Sequence, residues 1–270
     1  LYWGGGFIKL IYRIINRRRL FIVILFYLVL GSFCYLDVLT NTQIYFFGST
    51  MLSSPDNNII AGIYMMVIFP LVAVFLLSDM FLEDEKLSLT YIWYAKCGVF
   101  KYHIKNILYM SIIVFVITFL GFGFNLMLSY ISFGNINISF NSMFSDYNLE
   151  SYMHDITNFD LLLKSPIKFF VLKNTYIALY GVLFAQFAYL ISTFIKNRYI
   201  IILLPTLIYN AGGLFVSVLG NPGDSLYLLL YPNFSASIKH PQFINIYAII
   251  IVVINIFLFF LMIKREKEYV

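Results

Sequence analysis

Long apolar runs separated by short polar and basic stretches set the pattern along this chain. Six runs reach the roughly 17–25 residues that a helix needs to cross a hydrocarbon core of about 30 Å. They are Leu20–Leu36, Ile59–Leu77, Ile107–Ile131, Thr175–Ile195, Tyr199–Leu219 and Phe243–Ile263. Only Lys196, Asn197 and Arg198 separate the fourth run from the fifth, which predicts a tight helical hairpin. Pro70 and Pro205 interrupt two of the runs and predict kinks. The reading is an all-α polytopic membrane protein with six transmembrane helices.

The pieces between the runs have characters of their own. Residues 1–19 place Phe7, Ile8, Leu10, Ile11, Ile14 and Ile15 near helical spacing among Lys9, Arg13 and Arg17. This suits either an amphipathic helix lying in the membrane interface or a plain basic flank that orients the first span. The rest, residues 20–270, reads as one transmembrane domain. Residues 78–105 open with the acidic cluster Glu83, Asp84, Glu85, continue through Lys86 into a helical stretch bearing Trp93 and Tyr94, and close on Lys101, His103 and Lys105. So long a connection without structure is uncommon, and aromatics beside charges typify binding surfaces. The segment is therefore expected to be a docking elbow rather than a solvated loop. Residues 132–174 are long and polar, with a stretch Phe159–Leu172 that regains apolar character around Pro166 and is expected to form a helix on the surface. Residues 220–242 carry Pro222, Pro232 and Pro241 around the short apolar run Leu226–Tyr231, which is too short to cross and reads as a re-entrant or interfacial hairpin.

Composition supports lipid as the solvent. Of 270 residues, 61% are hydrophobic and 11% charged, against about 45–50% apolar and 25% charged in a soluble domain. A soluble enzyme, a secreted disulfide domain and a nucleic-acid-binding module are excluded on this ground, and Cys34 and Cys97 make no disulfide framework. Charge fixes the expected orientation. With the N-terminus inside, 14 of the 18 basic residues fall on inner segments, leaving Lys164, Lys168, Lys173 and Lys239 outside. Acidic residues hardly discriminate, as expected of a bias carried by Lys and Arg. Both termini are expected in the cytoplasm.

Catalytic parts are missing from the spans. None of the three histidines, His103, His154 and His240, lies inside one of the six runs, and no H-E-x-x-H, G-x-S-x-G or Walker A pattern occurs. Metal ligation, serine chemistry and an intramembrane proton relay lack their residues. The Gly4–Gly5–Gly6 triplet has neither the following G-K-[ST] nor a preceding strand. The chain reads as non-catalytic by itself. What the spans do carry is four amides, Asn125, Gln186, Asn210 and Asn255. Each needs a partner in hydrocarbon and so faces another helix or a wet path, as packing glue or as a tentative substrate path. The fourth span also carries Ala178, Gly181, Ala185, Ala188 and Ser192 as a small-residue stripe that permits close packing within the subunit.

This order of parts resembles the permease subunit of type-two ABC exporters. The features that carry the resemblance are Phe7–Arg19, the elbow Glu83–Lys105, the outer segment Gly220–Gln242 and the charged tail Lys264–Val270. The stretch beginning Glu85-Lys86-Leu87-Ser88-Leu89, with Lys105 twenty residues on, looks like the family's coupling region. The loop 132–174 is longer than minimal members carry. The resemblance implies a permease working beside a second permease subunit, as a homo- or heterodimer, in the bilayer of a bacterial plasma membrane. ATP and magnesium would be held by a separate ABC ATPase subunit. It further implies ATPase coupling through Glu83, Asp84, Glu85, Lys86, Trp93, Tyr94 and Lys105, and export by alternating access. The spans offer no charge to a substrate, which suits a hydrophobic or amphipathic cargo, with peptide export or immunity implied on family grounds. The competing reading is a non-transporting membrane sensor or assembly scaffold that binds its ligand through the long outer loop.

Overall fold

A computed structural model describes residues 18–40, 62–77, 80–133, 161, 164–220, 224–230, 240 and 242–268. The described residues are helical, with no strand among them. In chain order the helices are α1 (Arg18–Thr40), a π-helical segment (Tyr64–Ile68) leading into α2 (Phe69–Phe75), α3 (Met80–Lys86), α4 (Leu89–Cys97), α5 (Val99–Phe133), α6 (Pro166–Ser192), α7 (Arg198–Leu219), α8 (Leu226–Leu230) and α9 (Phe243–Glu268). Five of them, α1, α5, α6, α7 and α9, are long and apolar enough to cross a membrane. The described part of the run Ile59–Leu77 is shorter: the five-residue π segment and the seven-residue α2. Pro70 stands at the start of α2, where its missing N–H and fixed φ suit the first helical turn. The interfacial helix expected at residues 1–19 lies outside the described residues except for its last two positions, as do most of the loop 132–174 and much of 220–242.

Two boundaries differ from expectation. The stretch expected as a separate surface helix around Pro166 is the first part of α6, which runs unbroken from Pro166 to Ser192. Pro at the first turn starts the helix, and nothing between there and Thr175 stops it. The helix α5 begins at Val99, eight residues before the apolar run, because Gly98 at φ 79° ends α4 and frees the chain to restart at once.

The helix α6 is the hub of the bundle, packing on α5, α9, α2 and α7. Its small-residue stripe is what allows this: Ala178, Gly181, Ala185, Ala188 and Ser192 are all buried. A Cβ at Gly181 would stand only 3.4 Å from Ala73 Cβ. The helices α5 and α6 run antiparallel, with His103 beside Tyr189 and Ser111 beside Gln186. The helices α1 and α5 cross as closely. A Cβ on Gly121 would fall 2.5 Å from Tyr27 Cγ, and one on Gly31 would fall 3.3 Å from Asn125 Cβ. Around this crossing Tyr27, Tyr64, Phe69 and Phe122 form a buried aromatic cluster, with Tyr64 donating to the Tyr27 hydroxyl at 3.0 Å.

The two ends of the bundle are held differently. At one end meet the start of α1, the helices α3 and α4, the α6–α7 turn and the end of α9. Arg19 faces Glu83 at 3.8 Å, Lys196 pairs with Glu85, and Arg265 donates to the Thr193 carbonyl at 2.7 Å. Asn197 caps α7 by accepting from the Tyr199 and Ile200 amides. At the other end Lys173, buried on α6, donates to the Leu229 carbonyl at 3.2 Å and holds α8 in place. There Asp224 accepts from the His240 amide at 2.8 Å and contacts its ring Nδ1 at the same distance, while Tyr247 of α9 donates to the Asp224 carbonyl.

Candidate functional site: the elbow end and the adjoining cavity

The elbow consists of two short helices joined by a turn in which Ser88 adopts φ 54°, a left-handed conformation costly for a residue with a Cβ. The helix α3 buries Met80, Phe81, Leu82 and Asp84 against the bundle. Its other residues reach sideways, Glu83 to Arg19 of α1 and Glu85 to Lys196 after α6. The Asp84 carboxylate accepts from the Tyr102 hydroxyl of α5 at 2.7 Å. The helix α4 has two faces. Thr90 and Tyr94 turn inward. Leu87 in the preceding turn, with Tyr91, Ile92 and Trp93 on the helix, faces out, and the exposed Lys86 and Lys96 flank them.

Behind Tyr94 lies a hydrogen-bonded chain that crosses four helices. Tyr94 donates to Glu266 Oε2 of α9 at 3.0 Å. Its single proton thus used, its oxygen accepts from His103 Nε2 at 3.0 Å. The other ring nitrogen, Nδ1, then accepts from the Tyr189 hydroxyl at 2.9 Å. Tyr189 in turn accepts from Asn106 Nδ2 at 3.3 Å. With the imidazole proton on Nε2, every contact has one donor and one acceptor, all running toward Glu266. Burial first, and then the nearby Glu266 carboxylate, push the Tyr94 hydroxyl far above the ordinary tyrosine range, so it stays a donor.

The residues expected to couple to an ATPase thus divide. Asp84 and Tyr94 are internal fasteners, Glu83 and Glu85 tie the elbow to α1 and to the α6–α7 turn, and Lys86 and Trp93 face out. Lys105 is half-buried on the second turn of α5. No protein-family model, curated protein or solved structure matches this chain.

The four amides of the spans also divide. Asn125 donates to the Gly31 carbonyl at 3.1 Å and fastens the α1–α5 crossing. Asn210 donates to Thr206, one turn back in its own helix. Gln186 and Asn255 come together on the wall of a cavity of about 370 Å³ between α5, α6 and α9. Leu190 lies in the wall as well, and Leu108, Val252, Ile256 and Phe260, all on exposed helix faces, form the rim. Gln186 Nε2 donates to Ser111 Oγ at 2.8 Å, and Asn255 Nδ2 donates to the Leu183 carbonyl at 3.1 Å.

The residues that sequence reasoning passed over are His103, Asn106, Tyr189 and Glu266. One signal was available: His103 and Asn106 stand three apart at the start of α5, and so share a face beside an otherwise apolar helix. Their partners on α4, α6 and α9 are set by tertiary packing, which no local spacing encodes.

Proposed function

We propose that this chain is the membrane-spanning permease subunit of an ATP-driven exporter, multi-pass in a bacterial plasma membrane with its elbow end in the cytoplasm. It works with a second permease subunit and with a separate ATPase subunit that holds ATP and magnesium. The bias of basic residues toward the segments that meet at the elbow end supports the orientation. The observation that carries the coupling role is the two-faced α4. Outward it offers Tyr91, Ile92 and Trp93, an apolar anchor with a cationic rim of the kind that binds a partner. Inward it is bonded through Tyr94 to α5 and α9, while α3 beside it is tied to α1 and to the α6–α7 turn. A push on α4 therefore reaches α5, α6 and α9 through the Tyr94 chain, and α1 and the α6–α7 turn through α3, as alternating access requires. The cargo is hydrophobic or amphipathic, since the cavity between α5, α6 and α9 is lined by amides and apolar side chains and carries no charge.

The test is co-purification of the chain with a Walker A-bearing ATPase encoded beside it, followed by transport in inside-out vesicles. Trp93→Ala is expected to weaken the association. Glu85→Ala, which frees the elbow from Lys196, is expected to leave hydrolysis running but uncoupled from export. Wild-type binding and transport in both variants, at matched protein level, would remove the coupling role. A chain that recruits no ATPase would favour the non-transporting sensor or scaffold instead.

A further inference from the structure

We infer that the cavity between α5, α6 and α9 binds a neutral single-chain lipid bearing a hydroxyl group, such as a long-chain alcohol or a monoacylglycerol, which enters from the bilayer. Three features of the site select this chemistry. Each carboxamide in the wall spends one of its two N–H groups on the protein, Gln186 on Ser111 and Asn255 on Leu183. Asn255 is buried, and its Oδ1 has no partner among the described residues. No bond to the half-buried Gln186 oxygen occurs among them either. The wall therefore offers an acceptor oxygen beside a spare N–H, a pair that a hydroxyl, donor and acceptor at once, satisfies and an ether or ester oxygen only half satisfies.

The remaining lining is apolar, with no ionisable side chain, so a charged headgroup would enter without a counter-ion. The rim residues Leu108, Ile256 and Phe260 lie on exposed faces of helices long enough to cross the membrane, so the mouth opens toward lipid rather than water. A volume of about 370 Å³ sits near the lower end of ligand pockets. That suits one alkyl chain and its terminal group better than a two-chain lipid.

The inference deepens the exporter reading by naming its cargo class, but its test needs no ATPase. A failure here leaves the coupling role standing, and a failed ATPase co-purification leaves this site standing. The purified full chain in nanodiscs is labelled with a diazirine-bearing long-chain alcohol, and the labelled positions are mapped by peptide mass spectrometry. Label is expected on the stretches of α5, α6 and α9 around Leu108, Leu190 and Ile256. Unlabelled alcohol should compete about tenfold better than its methyl ether, the worth of roughly one hydrogen bond. Gln186→Leu should bring the two competitors together, and Leu190→Trp should fill the cavity and abolish the label. Equal competition by alcohol and ether in the unaltered chain would overturn the inference, as would label spread evenly over the lipid-exposed helices. Competition by an apolar peptide but not by the alcohol would reassign the cavity to peptide and overturn it too. The alcohol–ether comparison on the unaltered chain decides the matter even if a variant fails to fold.

Discussion

The Tyr94 hydroxyl donates to Glu266 Oε2 at 3.0 Å, joining residues 172 positions apart. It is the contact by which a helix too short to cross the membrane is fastened to the last helix that does. Removing it strands more than one group, because the same oxygen accepts from His103 Nε2. Tyr94→Phe leaves a buried imidazole N–H and a carboxylate without that partner, at a cost of about 1–3 kcal/mol. Glu266→Gln keeps an acceptor for Tyr94 and should cost less. Thermal unfolding in detergent, followed by loss of the monodisperse chromatographic peak, should rank wild type above Glu266→Gln and Glu266→Gln above Tyr94→Phe. The reverse order would show that the carboxylate charge, not the hydrogen-bonded chain, holds the end together.

Two glycines should respond in opposite ways to the same change. Gly121→Ala places a methyl group 2.5 Å from the Tyr27 ring, so α1 and α5 must part or the tyrosine must move. Overpacking of this kind costs about 1–3 kcal/mol. At Gly212 of α7 nothing lies within 4 Å of an added Cβ, and the gain in helix propensity should leave Gly212→Ala neutral or more stable by up to about 1 kcal/mol. Parallel melting curves of the two variants check the pair.

The joints of the elbow make a second pair. Ser88 holds φ 54° with no side-chain cap bond, whereas Gly98 holds φ 79° with open space around it. Ser88→Gly relieves the left-handed penalty, partly offset by glycine's freedom in the unfolded chain, for a net change between zero and about +1 kcal/mol. Gly98 at φ 79° and ψ 153° occupies a region that essentially only glycine enters, so Gly98→Ala should destabilise by about 1–3 kcal/mol despite the space. A loss in both would mean that Ser88 makes contacts its backbone angle does not reveal.

Orientation is open to direct chemical reading. Lys86 at the elbow end and Lys164 just before α6 are both exposed. In a chain carrying Cys97→Ser, Lys164→Cys should react with an impermeant maleimide added to intact cells, and Lys86→Cys only after permeabilisation. Buried Cys34 should stay silent in both. The opposite pattern would invert the topology and place α4 beyond the reach of a cytoplasmic ATPase.

Much of the fold is legible as length and polarity. Runs of apolar residues locate the five spanning helices because a bilayer demands length and hydrophobicity and little else. The basic residues foretell which segments share an end, and Arg19, Lys196 and Arg265 do meet the elbow or its neighbours there. Less legible is what faces what. In α4 every turn is rich in large side chains, so no stripe distinguishes inward Tyr94 from outward Trp93. The four amides look equivalent along the chain, yet Asn125 and Asn210 are satisfied by backbone while Gln186 and Asn255 meet across two helices. The π-helical segment at Tyr64–Ile68 has no local mark except Pro70 downstream, whose absent N–H disturbs the ladder just before it.

The central place of α6 bears on how the chain is made. A helix that packs on α5, α2, α7 and α9 enters the membrane before two of those neighbours have been synthesised. The Leu183 carbonyl waits for Asn255, and the Thr193 carbonyl waits for Arg265, both on the last described helix to leave the ribosome. Until α9 arrives, the nascent bundle displays an uncovered seam on its most buried member, with the Thr193 carbonyl still lacking the Arg265 donor. That seam is what a membrane quality-control protease or insertion chaperone would meet first, and stalling translation ahead of α9 should make the protein short-lived.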